Sequence, residues 1–174
     1  MKSKQKSTMP AIRNKLLLLP AILPATLLFA GCNTTGCMDN RSSLLLAGFY
    51  SASDKAISLQ HIEVGGVGAP NDSLIIEAGE STSEVYLPLR HTDSSTSFFI
   101  RYLNSDVDLT ENFDTITLTY SSIPYFASEE CGAIYQYSIK SLEYTTHFID
   151  RVTLLDSLIN NADMQKMHIY FLTD

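Results

Sequence analysis

Short runs of β-branched and aromatic residues recur between turn-forming clusters from residue 44 to residue 172, and this spacing restricts the chain to a sandwich or barrel of short strands. The clearest run is Asp114-Thr115-Ile116-Thr117-Leu118-Thr119-Tyr120. Successive side chains of an extended backbone point to opposite faces, so Ile116, Leu118 and Tyr120 share one face and three threonines share the other. Such a strand is half buried. In the next run upstream, Phe98, Ile100 and Tyr102 oppose Phe99, Arg101 and Leu103, so this strand is expected to be covered on both sides or to lie where a second surface meets it. Strands are expected at 44–50, 56–64, 73–77, 84–89, 97–103, 114–121, 133–140, 147–154 and 166–172.

The fold class that follows is all-β: an antiparallel β-sandwich, immunoglobulin-like, of about nine strands. One short helix near 155–165 stays open, because Leu155, Leu158, Ile159 and Ala162 recur at roughly helical spacing with Asp156 as a cap. Asn160-Asn161 argues for a turn instead. The strongest loop signal is Gly65-Gly66-Val67-Gly68-Ala69-Pro70-Asn71-Asp72, and no fixed-period repeat is present.

Residues 1–31 read as a leader and not as part of this fold. Lys2, Lys4, Lys6, Arg13 and Lys15 form a basic start, and Leu16 to Ala30 is an apolar stretch too short to anchor stably across a bilayer. The run Leu27-Leu28-Phe29-Ala30-Gly31-Cys32 closes it as a bacterial lipoprotein signal peptide closes. Two small residues let the peptide lie extended in a peptidase groove, and the Cys32 thiol is the nucleophile that takes a diacylglycerol. Phe29 stands where such sites usually carry Leu, so slower processing is expected. An uncleaved membrane helix is the rival, opposed by Pro20 and Pro24, which break the backbone ladder, and by the lack of a second basic flank. The expected organisation is a signal peptide at 1–31, a lipidated tether at 32–42 and a β-sandwich at 43–174.

Charge narrows the partners. The sequence carries 12 Lys and Arg against 19 Asp and Glu, a net charge of −7, and all five basic residues named above fall within the leader. The body left behind is more acidic still, which repels phosphate backbones and anionic lipid heads and argues against nucleic-acid binding. Contact with the membrane is therefore expected through the acyl chains of Cys32, two or more of which hold stably where one holds marginally. With Cys32 lipidated, Cys37 and Cys131 remain in a compartment that permits disulfides. A bridge would close a loop of nearly the whole domain, worth about 4 to 5 kcal/mol in chain-entropy models. Two free thiols or a metal pair are the alternatives, the latter lacking the close ligand spacing of a zinc site.

The templates of catalysis are incomplete. No G-x-S-x-G elbow occurs, and His61, His91, His147 and His168 are scattered one per strand or turn. The oxygen-rich segment 104–112 resembles a calcium loop without its glycine and distal glutamate. The glycines at 65–68 complete no phosphate-binding fingerprint, with no Lys and no helix after them. Neither a cofactor nor a metal site is therefore expected. Tyr125, Phe126, Tyr135, Tyr137 and Tyr144 make the stretch from 125 to 144 rich in flat amphipathic rings. Such rings build sandwich cores or, exposed, a ligand platform, for which Tyr125, Tyr135 and Tyr137 are the candidates. The absence of Trp weakens a sugar-stacking reading.

Several segments carry a resemblance that spans nearly the whole mature chain: Cys32 followed by Cys37, Phe49-Tyr50, Val85-Tyr86-Leu87-Pro88-Leu89, Thr115 to Tyr120, Tyr125 to Gly132, Ile149-Asp150-Arg151-Val152 and His168-Ile169-Tyr170-Phe171. Together they resemble an uncharacterised lipoprotein family of Bacteroidota, a domain of unknown function. The resemblance implies a Cys-Gly step after a Tyr-Phe strand and supports pairing Cys131 with Cys37. It brings no activity, substrate or cofactor. Surface-directed lipoproteins of that lineage often carry an acidic run after the lipidated cysteine, whereas Asn33-Thr34-Thr35-Gly36 is uncharged, so the resemblance implies the periplasmic face of the outer membrane.

The expected function is that of a membrane-anchored envelope lipoprotein, a non-catalytic interaction or structural module that binds an envelope protein through a strand edge or loop. The alternative is a module binding a glycan or a small hydrophobe at the tyrosine cluster. An envelope hydrolase would require a histidine within reach of a Ser or Cys.

Overall fold

The structure, a computed structural model, describes residues 43–103, 112–129 and 132–173. Cys32, Cys37 and Cys131, the expected leader, the tether and most of the oxygen-rich segment lie outside these residues. Ten strands follow one another: β1 (Leu45–Ser51), β2 (Ile62–Gly66), β3 (Leu74–Ile76), β4 (Glu84–Leu87), β5 (Ser95–Tyr102), β6 (Phe113–Ser128), β7 (Gly132–Tyr144), β8 (Ile149–Leu154), β9 (Leu158–Ile159) and β10 (Gln165–Phe171). They form a four-stranded sheet in the order β4-β1-β10-β8 and a six-stranded sheet in the order β3-β2-β5-β6-β7-β9. Strand pairing is antiparallel throughout except for β1 against β10, which run parallel. The all-β sandwich expected from the sequence is the architecture found.

Two sheets pack because each has one apolar face. Leu45, Ala47 and Phe49 of β1 and Met167, Ile169 and Phe171 of β10 face Phe98 and Ile100 of β5 and Ile116 and Leu118 of β6 across one continuous core. The Phe49 and Phe171 rings meet edge to face at 5.5 Å, the favoured geometry for an aromatic pair. Each such side chain contributes about 1.5–3 kcal/mol by leaving water, so the alternation of apolar residues fixes which face turns inward.

The segment near 155–165 is not helical. Its apolar spacing is overruled by side chains that bond locally in place of a helix ladder. Asp156 Oδ1 accepts the Leu158 N–H at 2.9 Å, Asp156 Oδ2 accepts a bond from Lys166 Nζ at 2.7 Å, and Asn160 Oδ1 accepts the Ala162 N–H at 3.2 Å. Between these two turns lies the short strand β9, with Ile159 buried and Leu158 exposed. Among the described residues the one helical element is a 3-10 turn at Pro70–Asp72. Upstream, the strand expected from residue 56 begins only at Ile62, because His61 takes φ 57° and interrupts the extended backbone. Isolated bridges from Tyr50 to Ala56 and from Leu59 to Thr82 tie that stretch to the body.

Asp114 occupies the inward register of β6 and is fully buried. Its Oδ1 accepts bonds from Thr145 Oγ1 at 2.7 Å and the His147 N–H at 2.8 Å, and its Oδ2 from the N–H groups of Phe148 at 2.8 Å and Ile149 at 3.0 Å. One carboxylate thus closes the β7–β8 connection onto the start of β6. Tyr102 is enclosed beside it, and burial first, then the charge of Asp114, pushes its hydroxyl above the ordinary value.

On the outer face of the four-stranded sheet the His168 ring packs 4.1 Å from Tyr50 and 6.0 Å from Tyr170. Burial holds its imidazole below the ordinary 6.5, partly opposed by Asp54. Because the unfolded chain then takes up this proton first, stability from this site is present above about pH 6.5 and falls as acid titrates the unfolded histidine, levelling off below the folded value. Thermal melts between pH 5 and 7.5 are expected to show that slope in the native protein and a flatter one in His168→Gln. Equal slopes would contradict it.

Candidate functional site

Beyond Tyr120 and before Tyr137, β6 and β7 leave their neighbours. The last register partner of β6 on β5 is Thr119, opposite Ser95, and β9 pairs only with Tyr137 and Ser138. Among the described residues, the two strands are paired only with each other from Ser121 to Ser128 and from Gly132 to Gln136. A hairpin arm results, turning at Gly132, whose φ of 71° is a conformation that glycine adopts without steric cost.

The residues on this arm are unlike those of an ordinary exposed ribbon. Directly opposite residues of an antiparallel pair share a face, so Pro124, Phe126 and Tyr135 lie on one side and Ile123, Tyr125 and Ile134 on the other. Phe126 is 64% exposed, Tyr125 44%, Ile123 42% and Tyr135 40%. An isolated two-stranded hairpin is marginally stable in water, and among the described residues no second sheet covers these rings. A large apolar group left in water on both faces of a ribbon marks a surface made for contact.

The three tyrosines singled out in the sequence divide among three environments. Tyr137 enters the core at 4% exposed, its hydroxyl donating to Leu89 O at 3.0 Å and its ring set edge to face with Tyr120 at 5.4 Å. Burial raises its hydroxyl above the ordinary value. Tyr135 lies on the same face but outside the core, stacked on His91 at 4.4 Å. Tyr125 points to the opposite face. Tyr120 holds the same loop, its hydroxyl accepting the Arg90 N–H and donating to Arg90 O, both at 3.0 Å. The rings at the root of the arm are therefore anchors, Tyr135 leans on His91, and Tyr125 and Phe126 farther out are exposed.

Ile123, Pro124 and Ile134 were not among the residues singled out in the sequence. Their signal was present, since alternation continues past Ser121, but Ser121-Ser122 and Pro124 carry turn character that masks it. Pro124 also matters for the edge. It has no N–H to offer, and within a ladder proline is accommodated where its nitrogen faces the open side, which blunts the outer edge of β6. The outer edge of β7 from Ala133 to Gln136 carries no proline, and it continues the line occupied farther down by β9.

The histidine contacts among the described residues do not assemble a base and nucleophile. His91 contacts Tyr135, His168 contacts Tyr50 and Tyr170, and His147 Nδ1 lies 2.9 Å from Phe113 O and 3.3 Å from Asp114 Oδ1. In none of these contacts does a serine hydroxyl or a thiol meet the imidazole. Thr145, Asp114 and His147 are adjacent, but the threonine donates to the carboxylate and not to the ring, which is the geometry of a loop clamp. Among the described residues no three His, Cys, Asp or Glu side chains gather as a metal site would need.

Residues 61–171 match a family of unknown function (DUF6452), and the chain belongs to that family. No curated protein and no solved structure matches the chain. The matched stretch contains the whole arm together with nine of the ten strands, since only β1 precedes it.

Proposed function

Taking the chain as a member of that family, we propose that it is a lipid-anchored envelope protein of the Bacteroidota type, held at the periplasmic face of the outer membrane by Cys32, whose β-sandwich docks another envelope protein and makes or breaks no bonds itself. The observation that carries this reading is the arm: Ile123, Tyr125, Phe126 and Tyr135 stand exposed on a ribbon supported by neither β5 nor β9. A partner strand laid along Ala133–Gln136 would satisfy the open backbone groups of β7, and its side chains would cover the rings on both faces. Backbone pairing would supply register, and the aromatic rings would supply most of the energy, as buried Tyr and Phe anchors do at interfaces.

The anchor is supported by the leader pattern ending at Cys32 and by the acidity of the body, which leaves acyl chains as the means of holding to the membrane. A disulfide between Cys37 and Cys131, both outside the described residues, is part of this reading on the strength of the sequence pattern.

Mass spectrometry of the protein purified from membranes is expected to find residues 1–31 removed and Cys32 acylated, and Cys32→Ser is expected to leave the membrane fraction. An intact leader with an unmodified thiol would overturn the anchor. Native electrophoresis after mild detergent extraction tests docking: a species heavier than the mature monomer is expected, containing a second protein, and a monomer alone would overturn it.

A further inference from the structure

A cleft of about 690 Å³ opens on the outer face of the six-stranded sheet, away from the core and from the arm. Such a volume suits a small molecule, for which pockets run roughly 300–1,000 Å³. Its floor is made by Ser97, Phe99 and Thr115, and the loop after β2 walls it through Val67 and Asp72. This face is where the sequence showed a second set of large side chains on β5.

The floor is built, and each part has a cause. Phe99 lies across Gly65 of the neighbouring strand; a Cβ on that glycine would stand 2.7 Å from the ring, so the bare backbone is what admits it. Arg101 is held over the same ring at 5.1 Å, and its Nη1 lies 2.9 Å from Glu63 Oε2. Ser97 Oγ and Thr117 Oγ1 are bonded at 2.8 Å. Phe113 stands exposed at the margin.

A guanidinium and a carboxylate fixed side by side offer donors and acceptors at one spacing with no net charge. Two neighbouring hydroxyl groups suit that pair, because each can accept from the guanidinium and donate to the carboxylate. The rings of Phe99 and Phe113 offer apolar contact for a saturated ring's C–H face. An anion is opposed, since Arg101, the one cation among the described lining residues, is already paired with Glu63 and Asp72 adds a second carboxylate. A wholly apolar ligand would take the ion pair out of water without replacing its hydration. We propose that this cleft binds a neutral saccharide through Phe99, Arg101 and Glu63. The proposal goes beyond the docking function and does not depend on it, because none of residues 121–136 lines the cleft.

Amide NMR spectra of the purified protein test it, in a zwitterionic detergent so that no sugar headgroup competes. Cellotriose, maltotriose and chitotriose are titrated separately, with decanoate as the apolar anion. At least one trisaccharide is expected to shift the amides of Ser97, Phe99, Arg101 and Thr115 saturably. Glu63→Gln and Arg101→Gln, both at side chains near the surface, are expected to keep the native spectrum and bind about tenfold more weakly, the effect of losing one charged hydrogen bond. No response to any trisaccharide, a response to decanoate alone, or native affinity in both variants would overturn the proposal.

Discussion

Asp114→Ala is expected to lower the stability of the fold by about 3–5 kcal/mol, because it leaves several donors without an acceptor at about 1–3 kcal/mol for each that stays buried. The size of the effect comes from what is left behind. Thr145 and the N–H groups of His147, Phe148 and Ile149 all donate to this fully buried carboxylate and would lose their acceptor. The connection between β7 and β8 would lose its attachment to β6, and Tyr102 beside it would be exposed to the opening. Asp114→Asn keeps one acceptor oxygen and should cost about half as much. Thermal unfolding is the measurement, with a fall of roughly 10 °C or more expected for the alanine variant. A fall of only a degree or two would show that the loop finds other partners.

Tyr125→Ser combined with Phe126→Ser is expected to leave that stability within about 1 kcal/mol of native and to reduce partner capture by at least about thirtyfold. Exposed residues contribute little to folding when they touch little. As anchors at an interface, the same two rings would each be worth about 2 kcal/mol or more, and every 1.4 kcal/mol is tenfold in affinity. The pair also samples both sides of the ribbon, since Tyr125 and Phe126 point to opposite faces. Loss of capture with the melting temperature unchanged would separate docking from folding. Unchanged capture would remove the arm from the proposed function.

The sequence revealed strands well where one face is apolar and the other polar, as from Asp114 to Tyr120. It revealed less where local chemistry competes with the period. Leu155 to Ala162 has helical spacing, but Asp156 and Asn160 close turns that a spacing count does not weigh. Past Ser121, hydroxyl residues and Pro124 suggest a turn, although pairing with β7 keeps the chain extended to Ser128. Asp114 shares the parity of Ile116, Leu118 and Tyr120, but the alternation alone did not mark it as a buried carboxylate. Its donors could not be read, because they come from residues 145–149, some thirty positions later. The cleft was half legible: Phe99 and Arg101 on the second face of β5 signalled a covering surface, while the loop that covers it has no regular period. The separation of Tyr125 from Tyr135 and Tyr137 follows from the register of β6 against β7, which depends on the bulge between Thr119 and Tyr120.

Photocrosslinking in intact cells, from a benzoylphenylalanine placed at Tyr125 and separately at Leu155, tests the docking arm most directly. Both positions are exposed, and Leu155 lies outside the arm. The expected result is a discrete adduct with one other envelope protein from position 125 and none from position 155. Adducts of equal yield from both positions, an adduct only with another copy of this chain, or none at all would contradict it.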